Sequence, residues 1–214
     1  IESSRLPNKV LADIDGEVMI KRVLKQCLKT QLIDEIFLCT DNNSIAKEAL
    51  DLNVKVLKTK GNFSSGSARI SSVLEKLTLK SIPLENTLVI NVQGDQPFLD
   101  PAIIDNLSEF FRNSKNKPEV ITPIYPMSGN NIKNSNVVKT IIDAYGRVLY
   151  FSRSPIPYLR GVQENKWSTH FDYWGHVGIY GFRGDVLRKW NILPESKLEK
   201  AEKLEQLRLL EAGI

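Results

Sequence analysis

Cysteine is scarce in this sequence: Cys27 and Cys39 are the two in 214 residues. Their spacing is not that of a metal site. Cys27 falls on the apolar stripe of a predicted helix and Cys39 within a buried-strand pattern, so both read as small core thiols in a reducing cytoplasm. Long apolar runs are also missing. No stretch approaches the roughly 18 apolar residues of a membrane span, and no basic-then-apolar segment opens the sequence. The expectation is a cytoplasmic protein with no membrane partner. A concentrated basic block is absent too. The formal net charge is +4, but the lysines are spread along the chain among Glu and Asp, so no nucleic acid is expected. A small polyanion such as a nucleotide triphosphate suits that modest excess. There are no internal repeats. What remains is ordinary for a soluble globular protein, 42% hydrophobic and 25% charged, of a length for one large domain.

Two hydrophobic periods alternate along the chain. Ile20, Val23, Leu24, Cys27 and Leu28 lie on one helical face, and residues 35–40 form a short apolar run ending in polar residues,. A helix over 44–52 and a strand over 54–57 follow, then a helix over 67–77 with Ile70, Val73, Leu74 and Leu77 on one face. Residues 87–92 read as the most buried strand. Asp100 and Pro101 form a helix start, with Ile103, Ile104, Leu107 and Phe111 as its stripe. Such alternation predicts an α/β fold with a mixed, mainly parallel sheet. After about residue 118 the pattern becomes strand-rich, at 120–125, 137–142, 147–151 and 176–182, which predicts an antiparallel extension. Gly161 to Thr169 reads as a mobile loop, and a last amphipathic helix is predicted from about 198 to 211. The expected organisation is one domain over 1–214, with a subregion at about 120–182. The chain opens on a loop, Ile1 to Lys9, and closes on Gly213 and Ile214, so a first strand and a C-terminal segment are expected outside these residues.

Several segments carry chemistry. Ser3-Ser-Arg-Leu-Pro-Asn-Lys9 places Arg5 and Lys9 in a Pro-containing turn without the glycines of a Walker loop. At the carboxyl edge of a sheet such cations neutralise phosphates; a solvated basic loop has the same composition. Asn91-Val-Gln-Gly-Asp-Gln-Pro97 directly follows an apolar strand, which places the Asp95 carboxylate to hold Mg²⁺ against phosphate oxygens, with Gly94 allowing a ligand near the backbone. The bland reading is a turn with a local cap. Ser64-Ser-Gly-Ser-Ala-Arg69 precedes a helix and reads equally as a nucleotide-holding N-terminus or a plain Ser cap. In Gly175-His-Val-Gly-Ile-Tyr-Gly-Phe182, alternation puts His176, Gly178 and Tyr180 on one strand face. A lone His is more often structural than ligand-binding. Leu204-Glu-Gln-Leu-Arg208 reads on its own as a solvated helix face.

Taken together, SSRLPNK, DIDGEVMI, CTD, SSGSAR, NVQGDQP, NSNVVK, YFSRSPIPYLR, GHVGIYGF and LEQLRLLEAG resemble, in this order, the CMP-Kdo synthetase (3-deoxy-manno-octulosonate cytidylyltransferase) family over nearly the whole chain. The resemblance implies the nucleotide-diphospho-sugar transferase (Rossmann-like) fold, a homodimer, CTP and an acidic sugar as substrates, and Mg²⁺ as cofactor. It implies triphosphate contacts at Arg5 and Lys9, a metal at Asp95, and a nucleotide pocket that includes Ser65, Gly66, Arg69 and Gln93. It further implies a sugar-acid site of Arg153, Arg160, His176, Tyr180, Glu205 and Gln206, with arginines suited to a carboxylate. Lys9 and Asp95 are the implied catalytic pair.

The implied reaction is attack of the sugar's anomeric hydroxyl on the α-phosphorus of CTP, with pyrophosphate leaving toward Arg5 and Lys9. The product would serve lipopolysaccharide or surface-glycan synthesis. The family prefers Gly at Asn8, His at Phe63, Asp at Ala68 and Glu at Gln96. The changes at Phe63, Ala68 and Gln96 leave room for another acidic sugar, an 8-amino or sialic-type ulosonic acid. A non-catalytic nucleotide or sugar-acid binder is the rival of another class.

Overall fold

The apolar spacing at Ile20, Val23, Leu24 and Cys27 produces a helix. In the computed structural model, which describes residues 9–77, 81–127 and 129–214, α1 spans Met19–Cys27 and buries those four side chains. A small hairpin precedes it, β1 (Asp13–Ile14) and β2 (Glu17–Val18), turning through Asp15 and Gly16 at positive φ. β3 (Phe37–Thr40) and β4 (Lys55–Lys58) pair in parallel across α2 (Asn43–Leu50), which the Asn42 side chain caps,. Ile20, Leu24, Leu38, Ala49 and Val54 form one core cluster under these elements.

The helix predicted over 67–77 is two, α3 (Gly66–Ser71) and α4 (Leu74–Leu77). The Ser72 hydroxyl donates to the Arg69 carbonyl at 2.7 Å, a local bond that competes with a continuing ladder,. β5 (Leu88–Asn91) leads to α5 (Pro101–Asn113), where Asp100 caps the first turn and Pro101 fills its first position as predicted. The strand predicted over 120–125 is also divided, into β6 (Val120–Ile121) and β7 (Ile124–Pro126), which belong to different sheets.

After α6 (Gly129–Ile132) come β8 (Lys139–Ile142), β9 (Val148–Ser152), α7 (Trp167–His170) and β10 (Trp174–His176). These strands form an antiparallel sheet in the order β7-β10-β8-β9. The predicted mobile loop at 161–169 is anchored instead. Trp167 is buried beside Met127, Ile132 and Tyr173, and its indole N–H donates to the Val162 carbonyl at 3.1 Å.

The strand predicted over 176–182 is two strands in two sheets. β10 ends at His176, and β11 (Tyr180–Arg183) lies between β5 and β6, antiparallel to both. β5 and β6 therefore run in the same direction. β11, not β5, carries the most buried side chains: Tyr180, Gly181 and Phe182 are buried, whereas Leu88, Val89 and Ile90 are half-buried. Among the described residues β5 is bonded to a strand on one side only, and β11 on both. α8 (Gly184–Lys189) follows. The final predicted helix breaks into α9 (Lys197–Glu202) and α10 (Leu207–Glu211), with Lys203 in the left-handed conformation at φ 53°.

The chain divides into two compact units: residues up to Ile121 with Ile179–Ile192, and Thr122–Gly178 with Leu193–Ile214. No helix among the described residues is long and apolar enough to cross a membrane.

Candidate functional site

In the first unit, the turn after β5 meets the short 3-10 turn at Lys9–Leu11. The Lys9 ammonium donates to the Asp95 carboxylate at 2.9 Å, joining residues 86 apart in sequence. Both side chains are more than a third exposed (39% and 38%), so water screens the pair and it contributes at most about 1 kcal/mol,. Such a pair opens cheaply when a more highly charged partner arrives. Arg5, the other expected phosphate cation, lies outside the described residues. Gln93 is exposed in the same turn. Gly94 departs from expectation: a Cβ there would lie 3.1 Å from Ile20 Cδ1 and 3.3 Å from Val10 Cγ1. The close approach that glycine permits is to α1 and its neighbour.

The segment before α3 is built around Arg69. Ser65 serves as the N-cap, its hydroxyl accepting from the Ala68 N–H at 3.1 Å. A Cβ at Gly66 would stand 3.4 Å from Asn91 Nδ2, and that amide reaches Ser67 Oγ at 3.2 Å. Arg69 donates to Asp41 at 3.0 Å and to Thr59, and its guanidinium lies 5.1 Å from the Phe63 ring centroid. Phe63 thus offers its π face to the arginine where the resembling family has His. Ala68 is buried, and the carboxylate partner of Arg69 comes from Asp41, at the end of β3. Sequence reasoning singled out the Cys39-Thr-Asp41 segment only through the resemblance and gave Asp41 no role. Tyr180, also in this unit, is buried directly opposite Asn91 in the β5–β11 register.

In the second unit, His176 closes β10. Its backbone N–H donates to the Val138 carbonyl at 3.0 Å, and its ring stands edge-on to Phe151 at 4.8 Å between centroids. Thr122 Oγ1 lies 2.9 Å from His176 Nε2 and donates to the Val177 carbonyl at 3.2 Å. Burial pushes the imidazole pKa down to about 4, so His176 is neutral at pH 7,. Phe151 packs with Leu204 and Leu207, the residues that flank Glu205 and Gln206. The expected solvated face at 204–208 is a correction: Leu204, Gln206, Leu207 and Arg208 are buried. They turn inward because Lys203 bends the chain and Arg208 pairs with Glu199 through two bonds of 2.8 and 2.7 Å. The Gln206 amide nitrogen is buried with no hydrogen-bond partner among the described residues. A donor so placed costs stability unless something accepts from it.

Arg153 follows β9. Its Nε donates to the Glu202 carbonyl at 2.7 Å and Nη1 to the Ser135 carbonyl at 3.0 Å. Arg160 is exposed on a turn. In the second unit His176 packs on Phe151, which packs with Leu204 and Leu207, while Arg153 is tied to Glu202; the first unit joins Lys9 with Asp95 and places Ser65, Gly66 and Arg69 on one segment. Among the described residues no cluster of three or more His, Cys, Asp or Glu side chains is placed to hold a metal. Asp95 is a single, open, hard-oxygen donor. That suits Mg²⁺, which keeps several waters and takes phosphate oxygens in place of a full protein cage.

The sequence profile of the cytidylyltransferase family matches residues 1–214. A 3-deoxy-manno-octulosonate cytidylyltransferase of Chlorobium phaeobacteroides (strain BS1) is 39% identical, with all of this chain covering 82% of that protein. The enzyme of that name from Chlorobaculum tepidum is 37% identical with the same coverage. The solved structure of CMP:2-keto-3-deoxy-manno-octonic acid synthetase complexed with CTP superposes at a TM-score of 0.86 and 35% identity, over 99% of this chain and 82% of that one. A crystal structure of 4-diphosphocytidyl-2C-methyl-D-erythritol synthase, at TM-score 0.58 and 12% identity, covers 97% of this chain and 80% of its own, and shares the fold.

Proposed function

Since the chain belongs to the 3-deoxy-manno-octulosonate cytidylyltransferase family, we propose that it transfers CMP from CTP to 3-deoxy-manno-octulosonate (Kdo) and releases pyrophosphate. The observation that carries this reading to named residues is the meeting of Lys9 and Asp95 at the end of β5. In an α/β domain, ligands bind beyond the carboxyl ends of the strands. There the two side chains neutralise one another until a triphosphate and its cation take their place as partners. Lys9, with Arg5, then faces the β- and γ-phosphates and stabilises the charge that grows on departing pyrophosphate. Asp95 would hold Mg²⁺, which would supply charge neutralisation on the phosphate oxygens. Ser65, Gly66, Arg69 and Gln93 line the nucleotide side.

The second unit binds the sugar acid. Arg153 and Arg160 pair with its carboxylate. Neutral His176, Glu205 and Gln206 hold its hydroxyls. The anomeric hydroxyl attacks the α-phosphorus as the bond to pyrophosphate breaks. The product feeds lipopolysaccharide synthesis, and the enzyme works in the cytoplasm as a homodimer.

The substrate is tested by incubating the protein with CTP and Mg²⁺ alongside Kdo, 8-amino-Kdo or a sialic acid, and identifying the product by mass. CMP-Kdo as the main product supports the reading. A CMP conjugate of another acid in its place moves the assignment to that sugar, and no conjugate with any of them refutes transferase activity.

A further inference from the structure

The second unit holds a buried cation that the proposed reaction does not use. Lys139, in β8, is fully inaccessible to solvent. Its ammonium donates to the main-chain carbonyls of Asn134 at 2.9 Å, Val137 at 2.6 Å and Arg153. An ammonium has three donors, and here three carbonyls take them. Glu202 works on the same segment from the other side. One of its carboxylate oxygens accepts from Ser152 Oγ at 2.6 Å and the other from the Arg153 N–H at 2.9 Å. The Ser152 hydroxyl in turn accepts from the Ser154 N–H at 3.0 Å. The Arg153 side chain closes the circuit, returning Nε to the Glu202 carbonyl and Nη1 to the Ser135 carbonyl.

Three stretches of backbone are thereby fixed to one another: 134–139, 152–154 and 202–203. The last leads through the left-handed Lys203 straight into Glu205 and Gln206. A buried ammonium is an expensive way to fill a β-strand position. An apolar side chain of similar volume would avoid the desolvation cost and is often as stabilising or more so. What the ammonium adds is direction, since it aims three carbonyls at one point, one of them that of Arg153.

We infer that Lys139 and Glu202 are positioning residues for the sugar-acid side of the reaction, holding Arg153 and the Glu205–Gln206 turn in register. This rests on the reading that the second unit binds the sugar acid. Neither residue touches substrate in this account. Each acts through the backbone it holds; the arginine also donates from Nη2 to the Lys203 carbonyl at 3.5 Å, and of its five N–H donors two remain beyond these three bonds.

The test is steady-state kinetics on the full chain with CTP and Kdo varied separately, in wild type, Lys139→Met and Glu202→Gln, with a thermal melt of each. The expected result is a rise of about tenfold or more in KM for Kdo, since small displacements of positioning groups cost that much. KM for CTP is expected to stay within about twofold of wild type on the same grounds, because the nucleotide residues lie in the other unit. If Lys139→Met fails to fold, Glu202→Gln gives the same reading at a half-buried position. An unchanged KM for Kdo in a folded variant overturns the inference. So does a loss of kcat that merely follows the folded fraction with both KM values unmoved. A wild type that makes no CMP-Kdo refutes the underlying functional reading instead, so the two failures are told apart by the control.

Discussion

At the scale of single residues, Asp95 and His176 make opposite demands on their surroundings. Asp95 is open and weakly paired, so its charge is available to a cation. Asp95→Asn keeps the volume and removes the charge. It is expected to leave the melting temperature nearly unchanged, because an exposed pair is worth at most about 1 kcal/mol, and to lower turnover by about a hundredfold or more. Pyrophosphate release near the wild-type rate at ordinary magnesium concentration contradicts the role given to Asp95. His176 is instead held neutral by burial, with its pKa pushed down to about 4. The unfolded chain takes up that proton near pH 6.5 and the folded protein only near 4. In that window the unfolded state binds more protons and stability falls as the pH drops, by up to about 1.4 kcal/mol per pH unit, while above about 6.5 the contribution is complete. Denaturant midpoints between pH 7.5 and 4.5 are expected to fall more steeply for wild type than for His176→Gln. Parallel curves in the two proteins contradict the burial-driven shift. Residue chemistry of this kind was partly legible in the sequence. Asp95 stood out because a carboxylate directly follows an apolar strand. Asp41, Thr122, Lys139 and Glu202 drew no individual reading, since their partners are 15 or more residues away or are main-chain carbonyls, which no side-chain pattern records.

At the scale of elements, the hydrophobic pattern gave the right types and missed the breaks. Residues 176–182 keep one alternating pattern although the chain leaves one sheet and enters another, because alternation records which face a side chain takes and not which strand it pairs with. Residues 198–211 keep a helical spacing across the Lys203 bend, because Leu204 and Leu207 still reach Phe151. The bend itself is testable. A lysine at φ 53° is strained by roughly 1–2 kcal/mol, a penalty glycine does not carry,. Lys203→Gly is expected to be as stable as wild type or slightly more so, and the β-branched Lys203→Val less stable by about 1–2 kcal/mol. The reverse order in a urea titration would contradict the bend. The break within 176–182 leaves Gly181 in the most buried strand, where a Cβ would sit 2.8 Å from Ile121 Cγ1 and 3.0 Å from Leu88 Cδ1. Gly181→Ala is expected to cost about 1–3 kcal/mol through overpacking, read as a lower denaturation midpoint at unchanged slope. A midpoint equal to wild type contradicts that packing.

At the scale of the whole molecule, the change in pattern near residue 118 lies close to the boundary of the two compact units at Ile121 and Thr122, where β–α alternation gives way to successive strands. The pattern could not show that the second unit also takes in residues 193–214, since membership there depends on long-range packing of Leu204 and Leu207 rather than on local period. The family's name joins two activities, nucleotide activation and recognition of a sugar acid, and the account gives one to each unit. Its central claim is that CTP is split only when the acid is there to receive CMP. The direct measurement is continuous pyrophosphate release by the protein with CTP and Mg²⁺, before and after addition of Kdo. The account predicts a baseline near zero, a burst of turnover on addition, and one CMP-Kdo formed for each pyrophosphate released. Pyrophosphate release that ignores the sugar acid, or none after it is added, would contradict it.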